Sequence, residues 1–328
     1  MLSYTATRLL ECLLVLLVMS FLVYGLIGLM PGDPIDLMIS ANPDFTAADA
    51  QRLKALYGLD RPLLERYGTW LWAALQGDFG YSRLYQQPVG DILLPRLGWT
   101  TVLLGTSLAL TVMIAIPLGV WAAARPYSRV DYGINMICFA GISVPPFWLA
   151  LILILLVAVP FQAIPAGGMG EAGAGLLERL RHLFLPVVTL TLASIGGFTR
   201  FMRGAMIQAL RADHIRTARA KGLSRARILI GHALRHALLP LITVVALSFG
   251  TLFSGALITE TMFSWSGMGR TIYEATLGND YNLALVGLLT ATGFTLAGNI
   301  LADLLYAGLD PRISFQTASD GTGGGSTA

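Results

Sequence analysis

The chain has 328 residues, of which 55% are hydrophobic and only 12% charged, whereas an average soluble domain carries roughly 25% charged residues. That balance excludes a water-facing globule and requires lipid to cover much of the surface. The formal net charge is only +3, and the basic residues gather in a few short stretches rather than along a face that could follow a phosphate backbone. Nucleic acid is therefore not an expected partner.

A helix needs about 20 apolar residues to cross a hydrocarbon core of roughly 30 Å, and six such runs can be read along the chain. The first, Leu9 to Met30, follows Arg8. It is too long for a signal-peptide core and lacks a small-residue cleavage site, so residues 1–30 read as a retained anchor and first transmembrane helix. Pro31-Gly32-Asp33-Pro34 then turns the chain at the membrane surface. Thr46 with Asp49 has the form of a capping box opening a helix that Gly58 closes, and Pro62 starts another helix running to about Gly77. Residues 31–100 are expected to form a small external helical subdomain.

The other five spans are predicted from Thr101 to Ala124, Ile134 to Val159, Leu183 to Phe201, Leu238 to Ile258 and Leu283 to Tyr306, within a five-helix core of residues 101–313. Pro145 and Pro146 interrupt the third of these. The backbone carbonyls they free could form a hinge or line a cavity, or the break could be a static kink. Cys12 and Cys138 both fall in apolar runs and suggest neither a metal site nor a disulfide framework. Residues 314–328, rich in Gly, Ser and Thr, read as a disordered tail. The fold expected is all-α and polytopic.

Arginine and lysine in short loops favour the cytoplasm. Arg125 and Arg129 flank the second connection. The fourth connection, within 203–236, carries Arg203, Arg211, Arg216, Arg219, Lys221, Arg225, Arg227 and Arg235. That loop should face inward, which puts both termini in the cytoplasm and segments 31–100, 160–182 and 259–282 outside. From Asp213 to His236 the pattern predicts two short amphipathic helices separated by Gly222-Leu223-Ser224, with Gly222 ending the first and Ser224 capping the second. On the residues alone two roles stay open. One is a docking element for a soluble partner, with Ala218 and Ala220 allowing close approach and the arginines meeting carboxylates. The other is a basic interfacial helix touching anionic headgroups.

The sequence resembles the permease subunits of the oligopeptide, dipeptide and nickel ABC importers over nearly its whole length. The resemblance is carried by LMPGDP at 29–34, YGLDRPLLERY at 57–67, GDFGYS at 77–82 and SVPPFW at 143–148. HIRTARAKGLS at 214–224, HALRHALLP at 232–240, ETMFSWSGMGR at 260–270 and DLLYAGLDPRI at 303–313 carry it further. It implies a type I importer transmembrane domain of six helices. It also implies a coupling segment, called EAA in that family, formed by Arg216, Thr217, Ala218, Arg219, Ala220, Lys221, Gly222 and Leu223, which inserts into the ATP-hydrolysing subunit. The implied partners are a second homologous permease, two ABC ATPase subunits holding ATP and Mg²⁺, and a periplasmic or extracellular substrate-binding protein. Arg216 stands where the general motif has an acidic residue. Ser266 replaces a frequent proline, and Asn279-Asp280-Tyr281 stands where Arg-Asp-Tyr-Pro is usual.

A phosphate-cradling Walker A loop needs Lys-Ser or Lys-Thr after its glycines, yet the lysines here are Lys54, followed by Ala55, and Lys221, followed by Gly222. The chain is expected to hold no nucleotide or other cofactor itself, and no catalytic constellation is legible, so it does not read as an enzyme. Candidate pathway residues are Glu260, Phe263 and Trp265 at the outer end of the fifth span, with Ser143 and Pro145 at the break in the third. The Glu260 carboxylate could attract a peptide's amino group, or it could pair with Arg270. Asn299 and Asp303, one turn apart, read as a proton relay or as a structural pair in which Asp303 reaches a basic side chain. His232 and His236 have the spacing of a helical metal site or of a polar inner surface. Within the resemblance the cargo expected is a peptide, with a nickel chelate, a glutathione-like compound or another small solute as the alternative. Outside it, a gradient-driven secondary transporter remains open.

Overall fold

The computed structural model describes residues 2–29, 61–171 and 173–309. The surface turn at 31–34, the capping box at Thr46 and Asp49, its closing Gly58 and the tail at 314–328 lie outside the described residues.

A chain in lipid must satisfy its backbone hydrogen bonds internally, and helices dominate accordingly. Helix α1 spans Leu2–Gly28. Helix α2, Leu63–Leu75, starts immediately after Pro62, whose extended backbone (φ −55°, ψ 145°) sits outside the first turn. A short antiparallel hairpin of β1, Tyr81–Ser82, and β2, Gln87–Pro88, follows; the periodicity did not reveal it. Helix α3 runs over 36 residues, Val89–Ala124, so it begins twelve residues before the predicted span. At about 1.5 Å per residue it is about 54 Å long and overruns the bilayer core. Its first turns are held by burial of Val89, Ile92 and Leu93 rather than by lipid, so the segment read as external ends in a helix continuous with the second span.

The third span is broken rather than continuous. Helix α4, Arg129–Ser143, and helix α5, Pro146–Leu153, meet at a 99° bend, and α5 continues as a π-helical stretch over Ile154–Ala158. The cause is local. A residue that precedes proline is pushed out of the helical region, and Val144 (φ −89°, ψ 123°) and Pro145 (φ −61°, ψ 136°) both precede one.

Helix α6 spans Leu176–Leu210 and helix α7 spans Asp213–Ala220. One turn of helix, Arg225–Arg227, then passes through a π-helical stretch, Ile228–Ala233, into helix α8, Leu234–Met262. The second of the two expected short helices is thus the start of the fifth span itself. Helix α9, Met268–Leu277, and helix α10, Tyr281–Leu309, complete the described chain. Among the described residues five helices are long and apolar enough to cross a membrane, and six spans result when the bent pair counts as one.

Helices α3, α6, α8 and α10 make the centre. With the α7 end of the bundle termed inner and the α9 end outer, an outer cluster gathers Leu103, Trp265, Met268, Ile272 and Leu283; an inner one gathers Phe198, Met202, Met206, Ile215 and Ile228. Helix α1 lies peripherally along α10, where Arg8 pairs with Asp303 at 3.2 Å near the inner end. Asp303 thus reaches a basic side chain, as its structural reading in the sequence has it.

Candidate functional site

Two regions carry polar chemistry: the basic elbow between α6 and α8, and a seam at the outer end of α8. In the elbow, Ile215 and Ala218 are buried against the inner cluster, while Arg216, Thr217, Arg219, Ala220, Lys221 and Gly222 are exposed and Leu223 is half-buried. Ala218 therefore anchors the elbow to its own bundle, and of the two small residues expected to meet a partner only Ala220 faces outward. Gly222 takes the left-handed conformation (φ +74°) that ends α7, and the Ser224 hydroxyl accepts from the Arg227 N–H at 3.5 Å, as the residue types require. Arg216 makes an exposed pair with Asp213 at 3.3 Å. His214 packs against His236 with ring centroids 4.3 Å apart and the rings tilted by 45°, joining α7 to α8. The Arg225 guanidinium donates to the Ala124 carbonyl, which ties the elbow to the last turn of α3.

A latch beside the elbow was not legible in the sequence. Arg203 of α6 forks onto Asp131 of α4 through two hydrogen bonds of 2.5 and 2.6 Å, and the aspartate also accepts from the Tyr127 N–H and the Asn135 amide, each at 2.8 Å. Two parallel guanidinium bonds fix geometry as well as charge. The latch sets the inner end of the third span against the helix that leads into the elbow.

The outer seam is built on Glu260, which is fully buried. Its Oε1 accepts from the Thr100 hydroxyl at 2.6 Å and its Oε2 from the Arg270 N–H at 3.0 Å. Thr100 in turn accepts from the Met268 N–H at 2.8 Å. The carboxylate and the hydroxyl thus satisfy free donors in the first turn of α9, where a negative charge is also favoured. The expected pairing of Glu260 with the Arg270 side chain does not occur: that guanidinium goes to Glu274 at 2.6 Å, and only the Arg270 backbone reaches Glu260. Phe263 is fully buried beside Leu185 and Ala150. Trp265 is buried edge-on to Trp99 and donates to the Trp99 carbonyl at 3.3 Å. Nearby, Asp280 accepts from the Ser82 hydroxyl at 2.5 Å and the Leu84 N–H at 3.0 Å, so the hairpin is fastened to the start of α10. The Tyr85 hydroxyl donates to Glu274 at 2.9 Å, and burial together with that carboxylate pushes its pKa up.

The structure therefore brings Glu260, Phe263 and Trp265 together inside the chain. It leaves Ser143 and Pro145 exposed at the bend of the third span. Thr100, Asp131 and Asp280 were missed because their partners are distant in sequence, although Asp280 stands directly before α10, where an aspartate caps a helix.

These features define a class: a polytopic helical membrane subunit with one broken span and a charged inner elbow fixed to its bundle. The particular family follows from comparison. Residues 115–315 match the family described as the binding-protein-dependent transport system inner membrane component. The oligopeptide transport system permease protein AppB of Bacillus subtilis is 37% identical, covering 96% of this chain and 100% of its own length. The dipeptide transport system permease protein DppB of Escherichia coli K12 is 34% identical over 90% of this chain and 93% of its own length. The oligopeptide transport system permease protein OppB of Mycobacterium bovis is 36% identical over 95% and 99%. The chain belongs to this family. It is a multi-pass inner-membrane permease component that works with a separate binding protein, and it is not an enzyme.

Proposed function

We propose that this chain forms half of the passage of an ATP-driven importer that takes up peptides delivered by an external binding protein. The relatives named above are oligopeptide and dipeptide permeases, which supports peptide as the cargo. The observation that carries the coupling reading is the two-sided character of α7. Ile215 and Ala218 lock it to the spans while Arg216, Arg219 and Lys221 are exposed on the other face. Such an element passes the motion of a soluble subunit to the helices behind it. Two ATPase subunits hold ATP and Mg²⁺, a second homologous permease closes the passage, and both termini lie in the cytoplasm with the elbow. Glu260, Phe263 and Trp265 shape the outer seam around the passage, and Ser143 and Pro145 face it.

Purifying the tagged chain from membranes and identifying what accompanies it tests this reading; ATPase subunits and a second permease are expected. In the assembled complex, Arg219→Glu or Gly222→Pro should leave the chain inserted while abolishing uptake of labelled dipeptide and the stimulation of ATP hydrolysis by loaded binding protein. Normal uptake by both variants, or recovery of a lone carrier running on an ion gradient, refutes the reading.

A further inference from the structure

A groove of about 590 Å³ opens between α1, α2, α3 and α10, within the roughly 300–1,000 Å³ typical of small-molecule sites. Its walls include Leu13 and Leu17 of α1, Trp70 of α2, Leu97 of α3 and Phe294 of α10. Gly293 of α10 leaves part of it open: a Cβ there would meet nothing closer than the Leu16 Cδ1, at 3.8 Å, and any longer side chain would enter the space.

The polar groups of the lining are almost all engaged already. The Ser20 hydroxyl reaches the Leu17 carbonyl at 2.8 Å and the Tyr67 hydroxyl at 2.7 Å, and Thr290 donates to the Val286 carbonyl at 2.7 Å. The exception is the Trp70 indole N–H, which is buried and has no acceptor among the described residues. A hydrated solute or a peptide would find only that one partner for its own polar groups there, and a water needs two to four. The groove fits hydrocarbon with one acceptor beside it.

Its setting identifies the source of that hydrocarbon. The groove is continuous with the lipid-facing surface of α1, where Leu10, Leu13, Leu14 and Leu17 are exposed and only 6% of the span is buried. Trp70 clusters with Tyr24 and Tyr67, at centroid distances of 5.7 and 6.2 Å. Tryptophan and tyrosine concentrate at the level of lipid headgroups. The geometry points to a bound diacyl phospholipid, one acyl chain in the groove and an ester carbonyl accepting the Trp70 N–H. The lipid fills the space between α1 and α10 and so ties the peripheral first helix to the bundle.

The test uses the complete complex, purified in mild detergent, washed free of loose lipid and analysed for retained phospholipid by mass spectrometry. The wild type should retain more phospholipid per chain than Gly293→Phe, whereas Leu10→Phe on the lipid-facing side should retain as much as the wild type. Trp70→Phe keeps a ring but loses the donor, and its lipid should exchange about five-fold faster, the scale of one hydrogen bond. Equal retention by the wild type and Gly293→Phe overturns the proposal. A second measurement needs no space-filling variant. Phospholipid brominated in mid-chain should quench tryptophan fluorescence of the wild-type complex persistently after dilution into unbrominated micelles, and that persistent part should fall in Trp70→Phe. Immediate full recovery of the wild-type fluorescence, or a disulfide linking cysteines placed at position 293 and within 31–60, which would put the chain's own segment in the groove, likewise overturns it.

Discussion

At Gly267 a Cβ would overlap the Glu260 carboxylate, and that carboxylate has no room to withdraw because Thr100 and the start of α9 hold it. Gly267→Ala should therefore cost on the order of 1–3 kcal/mol as overpacking and lower the thermal midpoint of the detergent-solubilised complex. Gly175→Ala, with nothing within 4 Å of its new methyl, should leave the midpoint in place. The latch gives a second residue-level test. Asp131 is almost wholly buried and forked by Arg203, so a double-mutant cycle of Asp131→Ala and Arg203→Ala, read from unfolding midpoints, should show a coupling of about 1–3 kcal/mol. Simple additivity of the two substitutions would mean that the fork contributes nothing. Glu260 was legible in the sequence as a charge beside an apolar run. Its role was not, because Thr100 lies 160 positions away and only the packing of α3 against α8 brings the two together. Arg203 was legible as a basic loop residue for the same reason that Asp131, 72 positions distant, was not legible as its partner.

Elements whose ends are set by local chemistry were foreseeable, and those set by packing or by helix irregularity were not. Pro62, Gly222 and Ser224 mark boundaries in the sequence and stand at boundaries in the fold. The start of α3 at Val89 depends on Ile272 and Leu283, far along the chain, so apolar run length alone misplaced it. The π-helical stretch at Ile228–Ala233 is another element without a local signal, and it joins the elbow directly to the fifth span. A π-helical turn carries one residue more than the α-helix it interrupts. Deleting Gly231 should therefore convert the stretch to plain α-helix while keeping the register on both sides, and the variant should insert and assemble with an almost unchanged thermal midpoint. Deleting Ala246 from the regular part of α8 turns every later side chain by about 100° and should abolish assembly. Equal loss from the two deletions, measured by recovery of assembled complex, would show that the stretch is not a spare residue in the ladder.

For the whole molecule, the bend at Pro145 and Pro146 decides which side of the chain faces lipid. Val144 and Pro145 are extended, so helical hydrogen bonding fails across the break, and exposed irregular backbone at membrane depth is tolerated only against protein or water. Ser143 and Pro145 are exposed in the single chain, as are the bulky Phe147 and Trp148 next to them. The Ser143 hydroxyl is already satisfied by the Phe139 carbonyl at 2.8 Å, so its exposure is no cost that a neighbouring side chain must relieve. The bend should therefore look onto the passage between two permease chains, while Leu10, 68% exposed on α1, looks onto lipid. With Cys12 and Cys138 replaced to remove background, Ser143→Cys in the assembled complex should react with a small charged thiosulfonate reagent, faster when ATP is supplied, and Leu10→Cys should stay unmodified. Silence at both positions would put the break against lipid or a dry protein surface and remove it from the passage. Reaction at position 143 that peptide-loaded binding protein slows would instead place the bend where cargo goes by.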